Sequence, residues 1–71
     1  MEYQAVRSSN IKAVGYNERD STLGIIFRSG SEYHYYSVPR SVFENLLNAS
    51  SVGKFLNIHV KEKDYRFRKI K

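Results

Sequence analysis

Apolar residues recur at every second position up to Val38, and at every third or fourth position after Pro39. No single element satisfies both periods, so strands come first and helices second. That order predicts an α+β architecture: a small antiparallel three-stranded meander, then two helices packed on one face, then a C-terminal strand-like segment. Thr22 to Arg28 is the clearest strand, with Leu23, Ile25 and Phe27 facing one core layer. Upstream, strand character begins at Asn10, where Ile11 and Ala13 alternate with Lys12 and Val14, and residues 17–21 form a polar turn. Ser29-Gly30-Ser31 reads as a tight connection to a third strand running from Glu32 to Val38. Residues 1–7 show little apolar period and are expected to be a loose leader to a domain over 8–70.

The register across the Gly30 turn has two readings. A loop centred on Gly30 sets Phe27 opposite Tyr33 and Ile25 opposite Tyr35. A strict two-residue loop turns His34 and Tyr36 to the core instead, because a one-residue slip exchanges the faces. Pro39 fits the first turn of a helix, where its missing N–H is not needed. Val42, Phe43, Leu46 and Leu47 give that helix its apolar stripe over about 39–48. Ser50 or Ser51 caps a second helix, whose buried stripe is Val52, Phe55, Leu56 and Val60, with His59 on the same stripe. Lys54, Asn57 and Lys61 occupy its opposite face. From Asp64 to Ile70 the alternation returns, with Tyr65 and Phe67 on one side and Arg66 and Arg68 on the other. That segment either pairs at a sheet edge or runs as an ordered tail.

Seventy-one residues make one domain, and a chain this short buries only about 60% of its unfolded surface, which leaves little core for an enclosed active site. There is no cysteine, so no disulfide, thiolate metal site or cysteine nucleophile is available. His34 and His59 stand 25 positions apart without metal-ligand spacing. Val52-Gly53-Lys54 looks like the end of a phosphate-binding loop, but Asn48 and Phe55 stand where that loop needs glycine and a serine or threonine. No nucleophile, metal cluster or cofactor loop is expected, and the chain reads as non-enzymatic. The start lacks the basic and apolar regions of a signal peptide, and no apolar run is long enough to span a bilayer, so a cytoplasmic location is expected. In that setting Asn48-Ala49-Ser50 matches the glycosylation pattern by chance.

Charge is unevenly placed. Residues 1–48 hold five basic and five acidic side chains; residues 49–71 hold seven basic and two acidic, so the whole net charge of +5 lies in the last third. Such an asymmetry points to a phosphate-rich partner. Lys and Arg displace counterions from phosphates, and aromatic faces stack on unpaired bases. The expected partner is RNA, tRNA included, with Lys54, Lys61, Arg66, Arg68 and Lys69 on phosphates and Asn57 and His59 beside them. Tyr33, Tyr35, Tyr65 or Phe67 would stack bases where exposed. The reading requires the cations past position 49 to gather on one outward surface. The rival reading is a protein-interaction module of phage or prophage origin, meeting its partner through an exposed aromatic patch or a free sheet edge. Membrane-surface binding is not expected, because the helices need their apolar faces for the core.

Read in order, several segments resemble the KTSC domain family, named for the C-terminus of some lysyl-tRNA synthetases. They are Ser8-Ser9-Asn10-Ile11, Val14-Gly15-Tyr16, Leu23 to Phe27, Ser29-Gly30-Ser31 and Tyr33 to Pro39. Leu46 to Ser50, Gly53-Lys54-Phe55, Asn57, His59 and Tyr65 to Ile70 complete the match, which covers about residues 6–70. The family's central Y-x-Y motif falls on Tyr33 and Tyr35. The resemblance implies a small free-standing bacterial or phage module, and its attachment to a tRNA synthetase implies RNA binding. The synthetase catalytic portion is absent, so tRNA charging does not carry over.

Overall fold

A computed structural model describes residues 1–71. In chain order it contains β1 (Tyr3–Ala5), β2 (Ile11–Asn17), β3 (Thr22–Phe27), β4 (Glu32–Tyr35), α1 (Arg40–Leu47), α2 (Val52–Leu56) and β5 (Phe67–Lys69). A π-helical segment, Asn57–Lys61, continues α2 without a break. The strands form one antiparallel sheet in the order β1-β2-β3-β4-β5. The expected three-stranded meander is its centre, and β1 and β5 extend it at either edge. The first residues are therefore paired rather than loose: Tyr3 lies opposite Gly15 and Ala5 opposite Ala13.

Period two holds through β3 and β4, and the Gly30 turn fixes how they meet. Phe27 N–H donates to Ser31 O and Gly30 N–H to Phe27 O, so three residues, Arg28 to Gly30, make the loop. Gly30 takes φ +99°, the left-handed position that closes such a three-residue hairpin. Ile25 then faces Tyr33 and Leu23 faces Tyr35. This is two residues away from the Gly30-centred register and has the same parity, so Tyr33 and Tyr35 point to the core side and His34 to the open side. In β2 a bulge between Ile11 and Ala13 replaces the simple alternation expected there. The extra residue brings Ile11 onto the core face with Val14, and both are buried.

Both helices cover that one face. Ile11, Val14, Leu23, Ile25 and Tyr35 from the sheet pack with Val38, Phe43, Leu46, Val52, Leu56 and Val60. Pro39 sits at the N-cap of α1 with extended backbone, one position before the helix proper. Ser51, not Ser50, caps α2, its Oγ accepting from Lys54 N–H. Beyond Leu56 the sequence Asn57-Ile58-His59-Val60 is poor in strong helix formers. There the turn widens, with Glu62 N–H donating to Asn57 O five residues back. Val60 stays in the core, while His59, expected on the buried stripe, is exposed and rests its ring on Phe55 at 4.3 Å. No helix is long and apolar enough to cross a membrane.

Candidate nucleic-acid interface

The parity of β3, β4 and β5 puts a row of rings on the core side of the sheet, at the edge where the helices stop covering it. Phe27 meets Tyr33 edge-on at 5.7 Å between centroids; Tyr33 and Tyr35 stack at 6.5 Å; Phe67 lies 6.2 Å from Tyr33 and 5.6 Å from Tyr35. These rings floor a groove of about 620 Å³. Val60, Lys61, Lys63 and Tyr65 wall it from the helical side, and Ser9, Asn10, Arg28, Ser29 and Ser31 from the hairpin side. The π-helical turn places Lys61 here, its Nζ 5.2 Å from the Phe27 ring centroid. Arg28 is steadied by its Nε donating to Ser8 O at 2.8 Å. No carboxylate lines the groove, and none of the seven basic side chains past position 49 is in a salt bridge.

Of the residues singled out from sequence, Tyr33, Tyr35, Lys61, Tyr65 and Phe67 converge on this groove. Lys54, Asn57, His59, Arg66, Arg68 and Lys69 do not line it. Arg68 lies opposite His34, on the open face of the sheet, because it alternates with Phe67. Lys69 lies opposite Tyr33 on the groove side. The cations of the last third are thus divided between faces rather than gathered on one. Exposure also sorts the rings. Tyr35 is 5% exposed and cannot offer a face to a base; Phe67 is 61% exposed. Burial, and next the neighbouring Tyr33, push the Tyr35 phenol above its usual pKa. Sequence reasoning missed Arg28 and Lys63 as rim cations, and Phe27 as a groove ring rather than plain core. Only the hairpin geometry and the widened helical turn bring those three together.

A second polar cluster lies on the open face. Tyr3 Oη donates to Glu32 Oε2 at 2.6 Å and lies 3.2 Å from His34 Nε2, which is itself 3.1 Å from Glu32 Oε2. The Tyr3 hydrogen bond, above all, holds the Glu32 carboxyl below its usual pKa, with His34 and Lys71 adding to it against partial burial. Burial first, then Glu32, hold the Tyr3 phenol well above its usual value. The cluster fastens the N-terminal strand to the sheet. No three His, Asp or Glu side chains converge as a metal site.

Comparison with known proteins finds the family model of the KTSC domain matching residues 7–65. A protein of Tsukamurella paurometabola is 45% identical over 67 residues, covering 94% of this chain and 96% of its own length. A lysine–tRNA ligase of Nostoc punctiforme is 44% identical over 62 residues, 87% of this chain but only 11% of the ligase. The crystal structure of a KTSC domain protein from Yersinia pestis superposes with a TM-score of 0.90 at 34% identity, covering 99% of this chain and 97% of that one.

Proposed function

This chain belongs to the KTSC domain family, and we propose that it is a small RNA-binding module whose contact surface is the aromatic groove. One observation carries the reading: exposed and half-buried rings share a groove with Arg28, Lys61 and Lys63, and no acid opposes them. Cations give phosphate affinity and rings give base affinity, and single-stranded RNA sites combine the two. The match to 11% of a lysine–tRNA ligase supports the same partner class. Lys54, Arg66, Arg68 and Lys69 do not line the contact surface. Binding is salt-sensitive with little base preference, because phosphate contacts dominate.

Titration of labelled tRNA, single-stranded RNA and duplex DNA at about 50 and 200 mM salt tests this. Micromolar binding that weakens with salt is expected. Undetectable binding of all three at the lower salt removes the proposal. A second reading rests on the sheet edge: β5 is an outer strand, and Phe67 within it and Ile70 just after it are exposed. A partner protein could add a strand there. A protein that crosslinks to β5 after nuclease treatment, in a preparation that binds no RNA, favours it.

A further inference from the structure

The groove's dimensions and lining narrow what it can hold. Its volume, about 620 Å³, lies within the span of small-ligand sites, roughly 300–1,000 Å³. A duplex keeps its bases stacked and offers ring faces only at its ends, whereas an unpaired base can be splayed onto an aromatic side chain. Phe67 presents such a face: Tyr33 and Tyr35 back its ring at 6.2 and 5.6 Å, yet it remains 61% exposed. Lys61, Lys63 and Arg28 stand on the groove walls around these rings. An acidic peptide would satisfy the cations but leave the rings without a planar partner. A planar, anionic ligand satisfies both.

We infer that the groove takes one unpaired nucleotide, its base on Phe67 and its phosphate among Lys61, Lys63 and Arg28. The module therefore selects single-stranded over duplex RNA. This rests on the RNA-binding reading and adds the form of RNA that is recognised. Lys61 Nζ, now 5.2 Å from the Phe27 ring, needs only side-chain rotation to meet a phosphate.

The test uses the full chain with a single-stranded RNA hexamer, a hairpin-free RNA duplex of equal phosphate count, hexaglutamate and adenosine 5′-monophosphate. Affinities come from fluorescence anisotropy, and the site from NMR shifts of the aromatic side chains. The hexamer is expected to bind roughly tenfold or more tighter than the duplex, with shifts centred on Phe27, Tyr33 and Phe67. Phe67→Ala, at an exposed position, should keep the fold and weaken hexamer binding about tenfold, erasing that preference. Adenosine 5′-monophosphate should shift the same rings. Equal binding of hexamer and duplex, untouched by Phe67→Ala, overturns the inference while RNA binding stands. Hexaglutamate binding as tightly as the hexamer also overturns it, since charge alone would then suffice. Ring shifts with the mononucleotide, but no binding of either RNA, overturn the RNA reading and keep the groove as a nucleotide site. Silence from every ligand overturns both.

Discussion

Tyr3 reaches across the open face of the sheet to a carboxylate on the far side of two intervening strands. Its ring passes over Gly15 and Gly24, where a Cβ would collide with it, and its hydroxyl ends on Glu32 at 2.6 Å. Tyr3→Phe keeps the ring and removes the donor. It should cost about 1.5 kcal/mol at neutral pH, the range for a hydrogen bond to a charged group. The pH dependence follows from Glu32. Its folded pKa is lowered, chiefly by Tyr3, so its stabilisation is present above the ordinary carboxylate pKa and is lost as pH falls through the folded value. Urea unfolding at pH 7 and pH 3 should show the two proteins apart at the higher pH and converging at the lower. A constant difference at both would mean that the hydroxyl acts through packing rather than through the carboxylate. At the alkaline end the sign reverses. The raised Tyr3 pKa makes its contribution complete below the free phenol pKa of about 10, and the contribution is lost as pH rises from there through the higher folded value. The Phe variant should escape that loss.

At the scale of elements, β1 and the π-helical turn are what position the two surfaces, and neither is written locally. Tyr3-Gln4-Ala5 has no alternation worth reading; it becomes a strand because β2 and β3 leave a glycine notch for it. The two glycines should respond differently to alanine. At Gly15 the new Cβ would come 2.6 Å from the backbone oxygen of Glu2, so β1 itself must shift. At Gly24 it meets the Met1 sulfur at 2.6 Å and the tip of Tyr3, both side-chain ends that can swing aside. Gly15→Ala is expected to cost more, about 1–3 kcal/mol, and to strip hydrogen-exchange protection from β1. Gly24→Ala should leave β1 protected and lose chiefly the Tyr3–Glu32 bond. Equal exchange patterns in the two variants would refute the distinction. The alternation of the central strands was legible because period two is a property of the strand alone, and Leu23 and Ile25 took the face it assigns. Which face of β4 turns inward was not legible: two readings of the Gly30 turn stood open, and the three-residue loop puts Tyr33 and Tyr35 on the core side, two residues away from the Gly30-centred register. Ile11 was not legible, since a bulge breaks parity without changing composition. His59 left the apolar stripe because the wider turn, within which it lies, rotates it outward while Val60 stays inward. Half of the groove shares these causes: its rings follow parity, while Arg28 and Lys63 depend on a turn and on a helix end.

For the whole molecule, net charge is a poorer guide than the face on which each charge stands. Residues 49–71 carry the entire +5, yet the sheet separates Arg68 from Lys61 and Lys63. Screening at physiological salt acts over about 8 Å, so a cation behind the sheet contributes little at the groove. This yields a residue-resolved expectation for RNA binding. Each groove cation that meets a phosphate releases counterions, and for single strands the slope of log K against log salt is about −0.7 per contact. Arg28, Lys61 and Lys63 together should give about −2. Lys61→Ala and Lys63→Ala should each flatten that slope by about 0.7, and Arg28→Ala should do the same while also freeing Ser8 O. Arg68→Ala should leave the slope unchanged although it removes the same formal charge. Anisotropy titrations across five salt concentrations measure all four variants on one scale. If Arg68→Ala flattens the slope as much as Lys61→Ala does, the partner reads total charge rather than the groove. The binding surface would then have to be sought around the molecule as a whole.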